Sequence, residues 1–270
     1  VIPTRFSQIR RKSGPKTTLP AVMADGGEKT MSDLNLGHHI SQQFNEELED
    51  VRNRVLQMGG IVEEQLEQAV RSLVTGDPDL AERVVSNDYR VNVSEVDIDE
   101  ECTRIVARRQ PAASDLRLVM AVIKTITDLE RIGDEAKRIA RMAQDQLAGS
   151  MTEDVRHEME HMGDLVRDML RLVLDAFARS DVATAKEVFR ADHKVDVKYI
   201  SITRHLMTYM AEDPGAIPRT LNVLWAARAL ERMGDRCENI GEYIFYMVKG
   251  RIIRHTSEED REAELAEKWL

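Results

Sequence analysis

The sequence predicts an all-α fold built as two tandem repeated antiparallel three-helix bundles. Three observations predict it: long stretches of amphipathic 3.6-residue periodicity, a composition poor in strand formers and breakers, and an internal repeat. Aromatics make up 4% of the 270 residues, Gly and Pro number 14 and 7, and 32% of residues are charged. Runs of alternating β-branched residues are absent, so the mixture favours amphipathic helices over sheet. A chain of this length buries a substantial core.

Six long helices are expected in order. The first runs from about Ile40 to Thr75 and stops at "TGDPDL", where Gly76 ends it, Asp77 caps the next and Pro78 takes its first position. The second continues to about Arg109, where "RRQPAASDLR" breaks the pattern at Pro111. The third spans about Asp115 to Gln146, and "LAGSMTED" then offers Ser150 or Thr152 as the next cap. The fourth ends near Arg179, and "RSDVAT" recaps it into the fifth. Pro214, Gly215 and Pro218 separate the fifth from the sixth, which runs to about Lys249. Residues 1–30 are basic and without helical period; they read as a disordered leader or an added upstream extension, with Met31 as the natural start. Residues 257–270 form a polar C-terminal tail.

The halves repeat each other. "GDPDLAERVVSNDYRVN" aligns without gaps on "SDVATAKEVFRADHKVD" at an offset of 104, which sets Asp88 over Asp192. "LERIGDEAKRIA" and "LERMGDRCENIG" align at an offset of 101, so a three-residue slip falls near the proline breaks. Duplication of a three-helix unit follows, with bundles at 31–147 and 148–256. Helices of about 30 residues are about 45 Å long, and short connections make neighbours antiparallel.

The formal charge of -10 argues against non-specific binding of nucleic acid or anionic lipid. It suits basic protein surfaces or cations. Cys102 and Cys237 lie in helical patterns without metal-finger spacing, which fits a reducing, cytoplasmic setting. No apolar run reaches the ~18–20 residues that span a bilayer.

The repeated phrase carries the candidate chemistry. Glu130 and Asp134 stack one helical turn apart, away from the apolar stripe of Leu129, Ile132, Ala136 and Ile139. Alone, such a pair marks a solvated helix face, and its like charges repel mildly. Recurrence changes that reading: Glu231 and Asp235 sit in the same frame, and Glu238, Asn239 and Glu242 extend it. The preceding helix of each unit adds Asp88 with Asn92, and Asp192 with Asp196. Four oxygen side chains are thereby expected to converge on a surface-facing metal site in each bundle, with Gly133 and Gly234 allowing a close approach. The donor chemistry favours Mg, Mn, Ca or iron over a structural zinc; the expected cofactor is a divalent or iron ion (Mg, Mn, Fe or Zn), its identity open.

Other features read as ordinary structure. His38 and His39 are adjacent and cannot share a site on one helix, while His157 and His161 fit a solvated polar face. Cys237 fits a half-buried thiol. "MGG" at 58–60 is too short for a phosphate loop, and no nucleophile elbow or Walker motif occurs.

From Ser32 to about His255 the chain resembles the PhoU family. The resemblance is carried by "LNLGHHISQQFNEEL", "MGGIVEEQLEQAV", "RRQPAASDLRLVM", both "LER-GD" phrases, "LMTYM-ED" and "YMVKG". It implies two three-helix bundles, surface multinuclear metal sites, and self-association as a homodimer or higher oligomer. It also implies a role: a cytoplasmic adaptor, not an enzyme, that restrains the Pst phosphate transporter through its ATPase subunit when phosphate is plentiful. The sensor kinase PhoR is the second implied partner, held in its repressive mode for the phosphate-starvation genes. Nucleic acid is not an implied partner, and membrane contact would run only through proteins. The family signature maps onto Glu130 with Asp134 and Glu231 with Asp235, and its helix-two aspartates onto Asp88 and Asp192. The signature often continues with Asn, then Glu three residues on. The second copy keeps Asn239 and Glu242, whereas the first has Arg138 and Arg141, so the second site is expected to bind metal more strongly. The competing readings are a metal-dependent phosphohydrolase or di-metal oxidase, and a passive metal-binding scaffold. The Glu-x-x-His pairs of di-iron bundles are missing.

Overall fold

A computed structural model describes residues 31–144 and 151–252, with side chains described from residue 42 onward. The expected leader and polar tail lie outside the described residues, as do the side chains of His38 and His39. The chain divides into the units Val1–Ser41 and Gln42–Leu270. The described part of the first is helical from Met31. The packed helices and their seams belong to the second.

The described residues are helical and contain no strand. The elements are α1 (Met31–Thr75), α2 (Pro78–Asn87), α3 (Tyr89–Arg109), α4 (Ala113–Gln144), α5 (Glu153–Arg179), α6 (Val182–Glu212) and α7 (Ile217–Lys249). A single 3-10 turn at Pro214–Ala216 leads into α7. The expected second helix is split at Asp88, yet Asp88 keeps right-handed helical angles (φ -57, ψ -31). Its carbonyl accepts from both Val91 N–H (3.0 Å) and Asn92 N–H (3.4 Å), so the direction of α2 carries into α3. The first helix begins at Met31 instead of Ile40, and the third long helix at Ala113 instead of Asp115.

The punctuation between α1 and α2 follows the residues. Gly76 takes φ 72, where an L side chain is disfavoured, and the Asp77 carboxylate accepts from Asp79 N–H and Leu80 N–H at 3.0 Å each. The equivalent turn in the second half is made by Ser180 at φ 53 and the Asp181 cap. Thr152 caps α5 through Val155 N–H.

Long-range contacts fix consecutive long helices within each bundle as antiparallel, so the first and last helices of a bundle, such as α5 and α7, pack in parallel. Within the first bundle, Glu82 meets Gln144 and Val91 meets Gly133. Within the second, Glu158 on α5 meets Ser201 and His205 on α6, and Asp192 meets Gly234 on α7. The two halves join through α1 with α5 and α4 with α7 over one continuous apolar core.

The α1–α5 crossing is nearly self-symmetric. A Cβ at Gly59 would meet Leu174, and one at Gly163 would meet Val70; Glu63 pairs with Arg171 and Glu67 with Arg167. At the offset of 104 each contact maps onto the other, as a pseudo-two-fold between the repeats requires. "MGG" therefore serves close helix packing. Between α4 and α7, Asp128 is 1% exposed and accepts from Tyr243 Oη at 2.8 Å, with Arg131 and Arg236 at 3.5 and 3.6 Å from its other oxygen. Glu135 pairs with Arg232 at 3.1 Å. None of the described helices is long and apolar enough to cross a membrane.

Candidate functional site

Each bundle brings its repeated carboxylates to the seam between its middle and last helices. In the first bundle, α3 crosses α4 at Gly133, where an added Cβ would lie 3.4 Å from Val91 Cγ1 and 3.1 Å from Gln65 Oε1. In the second, α6 crosses α7 at Gly234, where an added Cβ would lie 2.9 Å from Asp192 Oδ1. The glycine that weakens each helix lets the neighbouring side chain close over the acidic row. At Gly234 that side chain is a predicted ligand.

This closure corrects the expectation of a surface-facing row. Asp88, at the joint of α2 and α3, is 2% exposed against Lys137 of α4, and Glu231 on α7 is 8% exposed beside α6. Glu242 is also buried; Glu130, Asp192, Asp196, Asp235 and Asn239 are half-buried, and Asn92 and Asp134 are exposed.

In the first set, Lys137 Nζ donates to Asp88 Oδ2 at 2.6 Å, while Asp88 Oδ1 is buried with no hydrogen-bond partner among the described residues. Burial, then the charges of Asp134 and Glu95, push the Glu130 carboxyl up to about 7. Glu95 is itself held above the usual carboxylate range, by burial first and then by Asp99. Sequence reading missed it, although 88, 92 and 95 share one helix face.

The second set is more negative. Burial, then Glu238, Asp196, Asp235 and Glu231 in that order, push Asp192 up to about 8. Glu231 and Asp235 are also raised, each by burial first and then by a neighbouring carboxylate. Arg228 Nη1 donates to Glu231 Oε1, and its guanidinium lies 5.6 Å from the centre of the Tyr199 ring; Arg232 and Arg236 also act on Glu231 and Asp235 respectively. Glu231 Oε2 is buried with no hydrogen-bond partner among the described residues.

Besides Asn92 against Asp196, Arg138 against Asn239 and Arg141 against Glu242, the copies differ at a further position. Lys137 in the first stands where Glu238 stands in the second, at the offset of 101. Arg138, expected to oppose the first site, instead pairs with Glu135 at 3.7 Å and is exposed.

Among the described residues no group of three or more His, Cys, Asp or Glu side chains is already arranged to hold a metal ion. His157 is a solvated group between Glu153 and Glu160, each at 3.8 Å. A cleft of about 220 Å³ between α1 and α5, lined by Arg71, Arg167 and Glu67, is apart from both carboxylate sets.

Comparison with known proteins gives concordant matches. The family model described as the PhoU domain matches residues 55–143 and 159–244, once in each half. The phosphate-specific transport system accessory protein PhoU of Serratia marcescens is 52% identical over 225 residues, covering 83% of this chain and 92% of that protein. The protein of the same description from Escherichia coli (strain K12) is 50% identical over 238 residues, covering 88% and 98%. Among solved structures, PhoU from Pseudomonas aeruginosa aligns with a TM-score of 0.73 at 50% identity, covering 77% of this chain and all (100%) of that one. The phosphate transport system regulatory protein PhoU from Streptococcus pneumoniae aligns with a TM-score of 0.71 at 27% identity, covering 78% and 99%.

Proposed function

This chain belongs to the PhoU family, and from that premise we propose that it restrains a phosphate transporter as a cytoplasmic, non-catalytic adaptor. The observation that carries the reading is the match of both repeats to one family whose relatives are accessory proteins of phosphate-specific transport. The partners are the ATPase subunit of the Pst transporter and the cytoplasmic part of the PhoR sensor kinase. Through them the protein keeps the phosphate-starvation genes repressed when phosphate is plentiful. Its membrane contact runs through those proteins, it binds no nucleic acid, and it works as a homodimer or higher oligomer. The net charge of -10 suits basic faces on protein partners.

Metal binding belongs to the same proposal. The second set has the donor chemistry of a hard-cation site, though not its preformed geometry: its donors are carboxylate oxygens raised by burial and then by one another's charge, and Asp192 closes over Gly234. Asp192, Asp196, Glu231 and Asp235 would hold the ion, with Asn239 and Glu242 extending the set. In the first, Asp88, Asn92, Glu130 and Asp134 compete with Lys137, so binding there is weaker. A bound divalent or iron ion would supply the positive charge that draws α6 and α7 together at this seam.

A pull-down with Pst ATPase and PhoR fragments, at high and low phosphate and with and without metal, tests the adaptor reading. Phosphate-dependent capture of either is expected; capture of neither under any condition overturns it. Turnover of phosphoesters by metal-loaded protein would overturn the non-catalytic part.

A further inference from the structure

The middle helices of the two bundles each leave an apolar stripe uncovered at equivalent positions. On α3, Tyr89, Val93 and Val96 are 63%, 53% and 54% exposed. On α6, Val197, Ile200 and Met207 are 54%, 48% and 60% exposed. Positions 89, 93, 96 and 100 follow one another at spacings of four, three and four, so they lie along one face of α3. The offset of 104 places that face on 193, 197, 200 and 204 of α6. Isolated exposed valines are unremarkable, but the same stripe left open in both copies marks a surface made to be covered.

The stripes differ in charge, and the difference is complementary. The α3 stripe continues into Glu100, where the α6 stripe continues into Arg204; both are exposed. Asp97 and Asp99 flank the α3 stripe, where α6 has Ser201 and Thr203. Lys194 beside the α6 stripe has an exposed counterpart in Arg90 beside the α3 stripe, so the difference rests on Glu100 against Arg204 and on Asp97 and Asp99 against Ser201 and Thr203. One middle helix is therefore apolar with an acidic margin, and its repeat is apolar with a basic margin. Two copies of the acidic form would repel, as would two of the basic form. The unlike pair matches in both apolar register and sign.

We propose that α3 of one copy of this chain docks against α6 of a second copy, Val93 and Val96 packing on Val197 and Ile200 with Glu100 and Arg204 facing each other. This gives a surface to the self-association proposed above. Purified protein alone tests it, so its failure leaves the partner pull-down standing on its own result. The interface is heterologous at each contact, because every copy carries one stripe of each kind. Apolar burial supplies the affinity, and the charges fix which stripe meets which. Raised salt weakens the pairing by screening the exposed margins.

Sedimentation of the full chain across concentration and salt, with charge reversals, provides the test. Wild type is expected to self-associate reversibly, and more weakly at high salt. Glu100→Arg puts arginine at the facing position of both stripes, and Arg204→Glu puts glutamate there in both. Each variant alone is expected to associate about tenfold more weakly or worse. An equimolar mixture of the two, and the double variant Glu100→Arg/Arg204→Glu, are expected to associate like wild type. The mixture also controls for folding, since a misfolded variant would not regain pairing. A wild type that stays monomeric at every concentration overturns the proposal. So does association indifferent to the reversals, or lost in both single variants and not restored by mixing them.

Discussion

Adjacent glycines in α1 should respond in opposite directions to the same substitution. A Cβ at Gly59 would lie 2.6 Å from Leu174 Cδ2, 2.7 Å from Cδ1 and 3.2 Å from Cγ. Comfortable carbon contacts are ~3.5–4.0 Å, so Leu174 or the whole α1–α5 crossing must give by about 1 Å. Overpacking of this kind costs roughly 1–3 kcal/mol, while alanine returns about 1 kcal/mol of helix propensity. Gly59→Ala is therefore expected to lose about 1 kcal/mol net, with a lower urea midpoint at unchanged slope. At Gly60 an added Cβ meets nothing within 4 Å, so Gly60→Ala keeps the propensity gain and raises the midpoint. Gly163→Ala should be worse than Gly59→Ala, because it strikes Val70 at 2.7 Å and a β-branched side chain has fewer rotamers to escape into. Urea unfolding followed by circular dichroism checks all three. Gly59→Ala as stable as Gly60→Ala would refute the reasoning.

Other seams give further expectations. Lys137→Met removes the cation from an Asp88 that is 2% exposed, and should destabilise the chain by roughly 1–3 kcal/mol in chemical denaturation with chelator. Adding Asp88→Asn should recover part of that loss. In chelator, stability should fall as pH rises: Asp192 is raised to about 8 and Glu130 to about 7, so the folded chain holds their protons more tightly than the unfolded one. That destabilisation is absent below the unfolded carboxylate pKa of ~4 and complete above the folded values; Asp192→Asn should flatten its upper part in melts from pH ~5 to ~9. Burial pushes the Cys102 thiol up to about 12 and raises Cys237 as well, so a thiol reagent near pH ~8 should label both only after unfolding.

The fold was legible because its signals are local and repeated. Gly76, Asp77 and Pro78 mark one junction without tertiary information, and the repeat copies its place onto Ser180 and Asp181 although the residue at the left-handed position changes. The candidate site was half legible. Helical spacing put Glu130 with Asp134, and Glu231 with Asp235, on one face each, but burial of Asp88 and Glu231 depends on which helix crosses at Gly133 and Gly234. The inequality of the copies shows in the sequence at Arg138 and Arg141, whereas the cation that pairs with Asp88 is Lys137, one residue earlier and on the inward side. Asp128 carried no signal, since position 229 in the second copy is alanine and its partners Tyr243 and Arg236 come from the other half. "MGG" lacked a partner in the sequence until α5 supplied Leu174.

The central claim is that duplication made two carboxylate seams of unequal character, the second being the stronger cation site. Calorimetric titration of chelator-treated protein with Mn²⁺ tests it most directly, comparing wild type with Glu231→Gln/Asp235→Asn and with Glu130→Gln/Asp134→Asn. The tighter binding event should vanish in the first variant and persist in the second. No binding by wild type, or equal loss in the two variants, would contradict the account.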